Sequence, residues 1–218
     1  MFNAVRDNLS YLLLGFLTNV ELAACALVGG MFLGVLVGLG RISTKQWIYL
    51  PVTLYVNFLR NIPLILVIFW FYFIMPILVG RPLNAFVSAA ISFVVFEATY
   101  FGEIFRAGFQ SISRDLVNAA YSTGLTYWQM VRYILVPIAF RRMLPSMITQ
   151  SIITFQDTSL AYVIGLQEMV RRTTIVDSLE VRSIQLYSFV ALVFFVVCFI
   201  GSRISRHYEE KGRRANIL

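Results

Sequence analysis

Five apolar stretches are the strongest constraint on how this chain can fold. They lie at about 11–39, 48–79, 85–105, 138–164 and 184–200. A membrane-spanning helix needs about 20 mostly apolar residues, and within lipid each backbone polar group must be bonded inside the protein. Charged residues make up only 13% of the chain, against about 25% in soluble domains. The sequence therefore predicts one all-α membrane domain over residues 1–218 with about five transmembrane helices.

Two of these stretches carry features beyond hydrophobicity. The second is too long for one straight span, and a leading segment along the membrane surface, ending at Pro51 or Pro63, would account for the excess. The first contains glycines at the spacing of closely packed membrane helices. These are Gly29, Gly30, Gly34 and Gly38. We therefore expect the first span to pack tightly against another helix.

The positions of Lys and Arg predict the orientation in the membrane. Twelve of them follow the first span, separate the third from the fourth, or follow the fifth, whereas five lie on the opposite side. Basic residues are enriched in cytoplasmic loops. We therefore expect a periplasmic N-terminus and a cytoplasmic C-terminus, with residues 201–218 as a cytoplasmic tail. The basic residues behind the net charge of +7 lie between the apolar stretches. They form no separate basic domain that would suggest nucleic-acid binding.

A polar segment, "NAAYSTGLTYWQMVRYILVP", interrupts the chain between the third and fourth spans. Ser113 is placed to cap a short helix, and Gly124 to end it in a left-handed turn. Thr126 and Gln129 fit a capping box for a second helix, which we expect Pro137 to end. Such a helix pair suits docking into a partner's groove, although the pattern is also typical of an interfacial helix on lipid headgroups.

Residues 113–137 resemble the EAA loop of bacterial ABC importer permeases: EAA, three residues, Gly, nine residues, Ile, one residue, then Leu-Pro. The matching positions are Ala119, Ala120, Gly124, Ile134 and Pro137, with Asn118 in place of Glu and Val136 in place of Leu. In that family the loop is a coupling helix seated in a cleft of the ATP-hydrolysing subunit. The resemblance implies a coupling surface formed by Asn118, Ala119, Ala120, Gly124 and Trp128.

Three further segments extend the resemblance over nearly the whole chain. "VNFLRNIPLILVIFWFY" and "EATYFGEIFRAGFQSIS" resemble segments of polar amino-acid permeases, and "FQDTSLAYVIGLQEM" resembles their glutamate/aspartate branch. The resemblance implies a type I ABC importer permease fold in a bacterial inner membrane. It also implies uptake of a polar amino acid. Glutamate or aspartate is the first candidate, and glutamine, arginine and histidine are the alternatives.

Polar residues inside the third and fourth stretches suggest a substrate pathway. A charge at the centre of a span costs about 2.5–3.5 kcal/mol on insertion scales, so such residues usually face a partner helix or a polar path. The candidates are Tyr100, Glu103, Arg106, Gln156, Asp157, Thr158 and Ser159. Asp157 or Glu103 could pair with the α-ammonium of an amino acid, and Arg106 or Arg60 with a carboxylate.

A structural interpretation of the same residues stays open. Glu103 and Arg106 are three residues apart on one helix face, and they could simply pair with each other and join helices. For Glu97 and Arg60 we favour a role in holding helices together over a role in binding substrate. The intramembrane carboxylates would also suit an ion-coupled secondary transporter, although such folds usually contain repeated halves and we find none. A membrane scaffold is the third alternative.

The chain contains no sequence motif for binding ATP. Its two lysines, Lys45 and Lys211, do not follow a glycine-rich loop of the type that cradles phosphates. The single histidine, His207, supports neither a catalytic triad nor a histidine metal site. We therefore expect a transport subunit without a cofactor of its own. The resemblance implies two ATPase subunits that bind ATP and Mg²⁺, a second permease chain, identical or related, and a periplasmic amino-acid-binding protein.

Overall fold

Helices form almost all of the chain in the computed structural model. The structure describes the backbone of residues 3–215 and the side chains of residues 3–210. The helices are α1 (Asn3–Asp7), α2 (Leu9–Arg41), α3 (Gln46–Arg60), α4 (Leu64–Phe69), α5 (Met75–Val79), α6 (Ala85–Gln110), α7 (Arg114–Ser122), α8 (Tyr127–Met130), α9 (Val136–Asp157), α10 (Met169–Glu180) and α11 (Ser183–Ala215). No strand occurs within residues 3–215, which confirms the predicted all-α fold.

Three helices are long and apolar enough to cross a membrane, namely α2, α6 and α11. A fourth span results if α3 and the segment Leu64–Val79 count together, although they meet at 106°. Their break lies just before Pro63, whereas Pro51 sits inside α3. Helix α9 is 22 residues long but is not among the three, since its arginines and amides lower its hydropathy. Five spans including α9 remain a prediction.

Helices α2 and α6 pack against each other along the row of glycines on α2. A Cβ atom added to Gly30 would lie 2.8 Å from the Cβ of Glu97, and one added to Gly34 would lie 2.6 Å from the Cβ of Phe101. Cβ atoms do not approach each other so closely, so only glycine allows this contact. The close approach expected from the glycine spacing is therefore present, and its partner is α6.

The main core lies where α2, α4 and α6 meet the 3-10 turn that follows α9, at Thr158–Ile164. It includes Leu22, Val67, Phe93 and Ala161, all fully buried. Helix α11 instead leaves many apolar side chains exposed, such as Phe195. Such a face is covered by lipid or by another chain in a membrane.

Helices α8 and α9 form one continuous helix, so the prediction that Pro137 ends the second loop helix is wrong. A π-helical turn at Val131–Leu135 joins them. Proline lacks an N–H and its ring crowds the carbonyl one turn back. A wider π turn relieves that crowding. The same arrangement occurs at Trp70–Ile74, where the π turn again ends two residues before a proline, Pro76.

We expect Gly34→Val to destabilise the permease by about 1–3 kcal/mol, the range for overpacked cores. A side chain at this position meets the backbone of α6, with the Gly102 nitrogen 3.1 Å from the added Cβ. The midpoint of thermal unfolding in detergent measures the effect. Ala24→Val on the exposed face of α2 is the matched control and should leave the midpoint unchanged. Equal midpoints in the two variants would contradict the close packing.

Candidate functional site

A cavity of about 580 Å³ lies beside the C-terminal half of α6. Helices α6 and α9 form most of its wall, Arg60 contributes from the end of α3, and Glu209 contributes from α11. Its polar wall residues include Arg60, Tyr100, Glu103, Arg106, Arg142 and Gln150. Three of the seven predicted pathway residues, Tyr100, Glu103 and Arg106, therefore meet at this cavity.

The carboxylate of Glu103 is the centre of an arginine cluster in the cavity wall. Its Oε1 atom lies 2.8 Å from Nε of Arg41, and its Oε2 atom lies 2.8 Å from Nη2 of Arg106. Nη1 of Arg60 is 4.0 Å from Oε2. Three guanidinium groups thus surround one carboxylate and leave an excess of positive charge. Glu103 is already paired, which favours the structural interpretation for this residue over a role in binding an ammonium group.

The cluster joins the ends of α2 and α3 to α6. Arg41 is in the last turn of α2, where its Nη1 atom also donates to Oγ1 of Thr53 on α3 at 2.7 Å. Arg60 ends α3, and its guanidinium carbon lies 4.9 Å from the centre of the Tyr100 ring, within the range of a cation–π interaction. The cluster therefore fixes α2 and α3 against the middle of the cavity wall.

Arg41 is one of the twelve basic residues that predict the membrane orientation, and its place in this site was not predicted. The signal was present in the spacing, because Arg41 follows Gly38 by three residues and so shares the helix face that packs on α6. Gln150 was also missed. It is a buried polar residue on α9 whose partner, Glu97, lies on another helix, so no local pattern indicates it.

Hydrogen bonds connect the cavity wall to the loop that follows α6. Nη1 of Arg106 donates to Oε1 of Gln110 at 2.6 Å. Nη1 of Arg142 on α9 donates to the backbone carbonyl of Ser111, the residue that ends α6. The last carbonyls of a helix lack partners within the helix, so Arg142 both satisfies α6 and ties it to α9.

The other four predicted pathway residues lie outside the cavity lining, around the junction of α9 and the 3-10 turn. Thr158 is buried, and its hydroxyl donates to the Phe155 carbonyl at 2.6 Å and accepts from Nδ2 of Asn19 at 3.0 Å. The Ser159 hydroxyl donates to the carbonyl of Gln156 at 2.9 Å. Gln156 is exposed and Asp157 is half-buried. The predicted pathway residues thus form two separate groups.

Asn19 belongs to a buried polar network that the sequence pattern did not reveal. Its Nδ2 atom donates to Oε2 of Glu168 at 3.1 Å, and its Oδ1 atom accepts from the Met169 N–H at 3.0 Å. Glu168 caps α10 by accepting from the N–H groups of Val170 and Arg171. Burial raises the pKa of Glu168, and these hydrogen bonds act in the opposite direction. The network holds α10 against α2.

The loop between α6 and α9 has the local structure that its sequence predicts. The Ser113 hydroxyl accepts from the Leu116 N–H at 3.3 Å and caps α7. Gly124 has a φ of +75°, the left-handed conformation expected of it. The Thr126 N–H donates to Oε1 of Gln129 at 2.9 Å in the capping box that starts α8. These caps make the loop a defined pair of short helices.

Four of the five predicted coupling residues are on the surface of this loop. Asn118, Ala119 and Gly124 are exposed, and the Trp128 side chain is 77% exposed. Ala120 is buried and packs inward. The exposed side combines small residues with a large aromatic ring, which is a suitable surface for docking into another protein.

A family model described as "Binding-protein-dependent transport system inner membrane component" matches residues 30–214. The chain is 35% identical over 217 residues to the glutamate/aspartate import permease protein GltK of Escherichia coli O6:H1, covering 96% of this chain and 97% of that protein. It is 31% identical over 209 residues to the probable glutamine ABC transporter permease protein GlnP of Bacillus subtilis, covering 94% and 95%.

Solved structures share the fold. The crystal structure of an amino acid ABC transporter with histidines matches with a TM-score of 0.88 at 24% identity, covering 97% of this chain and 98% of that one. The inward-facing MetNI methionine ABC transporter matches with a TM-score of 0.71 at 19% identity, covering 93% and 98%. The match of the family model over residues 30–214 and the 35% identity to an import permease over 96% of the chain show the family. The chain belongs to the binding-protein-dependent transport system inner membrane components, as an amino-acid ABC importer permease of multi-pass inner-membrane type.

Proposed function

We propose that this chain is the membrane-spanning subunit of an ATP-driven importer that moves L-glutamate and L-aspartate from the periplasm to the cytoplasm by alternating access. The observation that carries the proposal is the cluster of Arg41, Arg60 and Arg106 around the single carboxylate of Glu103. An acidic amino acid carries two carboxylates and one ammonium. A cavity wall with excess positive charge raises the local concentration of such an anion.

Two of the arginines are exposed enough to meet a substrate. The side chains of Arg60 and Arg106 are 41% and 30% exposed, whereas that of Arg41 is 15% exposed and also bonded to Thr53. Guanidinium groups bind carboxylates in a planar, two-bonded geometry. We therefore assign the substrate carboxylates to Arg60 and Arg106. Glu103 is already paired, so Asp157 remains the candidate partner for the α-ammonium, at a point of the path outside the cavity lining.

The proposal places residues 113–137 in the cytoplasm, with a periplasmic N-terminus. Two partner ATPase subunits then bind ATP and Mg²⁺, and each docks on the exposed coupling surface of one permease chain. A second permease chain, related or identical, completes the membrane part, and a periplasmic binding protein delivers the amino acid. The continuous helix from α8 through α9 supports this coupling, since it joins the exposed Trp128 to the cavity residue Gln150.

Glutamine is the second candidate substrate. The observation that favours it is the 31% identity to a probable glutamine permease, close to the 35% identity to the glutamate/aspartate permease. Glutamine differs from glutamate only by a neutral amide in place of one carboxylate. The excess positive charge of the cavity wall favours the anion.

We expect ATP-dependent uptake of labelled glutamate by proteoliposomes that contain this permease with its second permease chain, ATPase and binding protein. Excess aspartate should inhibit this uptake, because it presents the same charges to the arginine cluster. Labelled glutamine, arginine and histidine serve as comparisons. Uptake of glutamine that aspartate does not inhibit would overturn the acidic assignment and keep the family. Uptake that follows an ion gradient and ignores ATP would overturn the mechanism.

We expect Gly124→Asp to abolish uptake while leaving assembly in the membrane and basal ATP hydrolysis intact. The added carboxylate would project from the coupling surface, where no described atom outside the adjacent backbone lies within 4 Å of the new Cβ. Gly80→Asp is the matched control, since Gly80 has a φ of +73° and equally open surroundings. Both variants carry the same backbone strain, about 1–2 kcal/mol. Normal uptake by Gly124→Asp would contradict docking through this loop.

A further inference from the structure

A fully buried carboxyl group, that of Glu97, lies on α6 apart from the arginine cluster. The residue has no exposed surface. Its Oε2 atom accepts a hydrogen bond from Nε2 of Gln150 on α9 at 2.9 Å. Its Oε1 atom is also buried and has no hydrogen-bond partner among the residues that the structure describes. If the group were ionised, one of its two oxygens would therefore lack a hydrogen-bond donor.

The elements packed around Glu97 offer it no positive charge. On α2, the residue in contact with Glu97 is Gly30. The part of α2 around Gly30, between Glu21 and Arg41, has no titratable residue except Cys25. On α9, Thr154 lies beside it and Asp157 acts on it through space as a second carboxyl. The arginines of the cluster are instead paired with Glu103, on the same helix as Glu97. Every salt bridge in the described part of the chain involves Glu103.

An ionised carboxylate in such a place would be very unfavourable. Burying an unpaired charge costs far more than burying a neutral polar group, and the group takes a proton instead. The neighbouring Asp157 carboxyl repels a negative charge and so works in the same direction. A carboxylic acid, by contrast, fits the observed contacts, because its carbonyl oxygen can accept the Gln150 hydrogen bond while the proton sits on the otherwise unpartnered Oε1 atom.

We propose that Glu97 is a proton-binding site of the permease, with Oε2 as the carbonyl oxygen and Oε1 carrying the proton. Gln150, its hydrogen-bond partner, is also part of the cavity wall. Movement of α9 away from α6 would therefore break this bond and expose Glu97 to water in the cavity. The acid then gives its proton to water and forms hydronium, and the carboxylate takes a proton back from hydronium before the two helices pack again.

The test is infrared spectroscopy of the complete transporter in lipid at neutral pH, comparing wild type with Glu97→Gln. We expect the carbonyl stretching band of a protonated carboxylic acid in the wild type and its loss in Glu97→Gln. Asp157→Asn and Glu103→Gln are matched controls, and both should keep the band. The proposal would be overturned if the wild type and Glu97→Gln had the same spectrum in the carboxylic-acid carbonyl region. It would also be overturned if Asp157→Asn, and not Glu97→Gln, lost the band.

A second variant keeps the test decisive if Glu97→Gln fails to assemble. Gln150→Leu removes the hydrogen bond to the carbonyl oxygen and leaves Glu97 in place. Losing that bond stiffens the C=O, so the acid band should move to higher frequency without losing intensity. An unchanged spectrum would contradict the assignment. Neither measurement uses a substrate, so the outcome is independent of which amino acid the importer carries.

Discussion

The glycine row of α2 packs against α6, and this contact positions both the arginine cluster and the buried Glu97. Between helices in lipid there is no hydrophobic driving force, so association relies on close packing and polar contacts. Gly30 and Gly34 allow that packing. The same contact seals Glu97 from solvent, and it brings Arg41 within 2.8 Å of Glu103. The buried carboxyl group of Glu97 and the arginine cluster thus both depend on one helix pair.

The second helix pair, α6 with α9, gives the cavity its link to the loop. Helix α9 supplies Gln150 to the cavity wall and Arg142 to the end of α6. It continues without a break into α8, where Trp128 is exposed. A force on α8 is therefore carried along a rigid element to the cavity. The π turn before Pro137 is what keeps this element continuous.

The sequence predicted those features that depend on neighbouring residues. The caps at Ser113 and Thr126 and the left-handed turn at Gly124 follow from side chains acting on their own backbone, so local reading found them. Pro137 was misjudged because a π turn compensates for the missing N–H. The partners of Glu103 and Glu97 come from α2, α3 and α9, far along the chain. Such contacts arise only when the helices pack, and no local period encodes them.

We propose that the cavity between α6 and α9, whose wall carries Arg60, Arg106 and Arg142, is the transport path and that ATP controls its access. The most direct test of this proposal places one cysteine in the cavity wall, Ser146→Cys, in a chain with Cys25 and Cys198 replaced by serine. The labelling rate by a membrane-impermeant thiol reagent is measured from the cytoplasmic side of oriented vesicles containing the complete transporter. We expect labelling in the resting state and strong protection when ATP is trapped in the ATPase subunits. Equal rates with and without trapped ATP would contradict it.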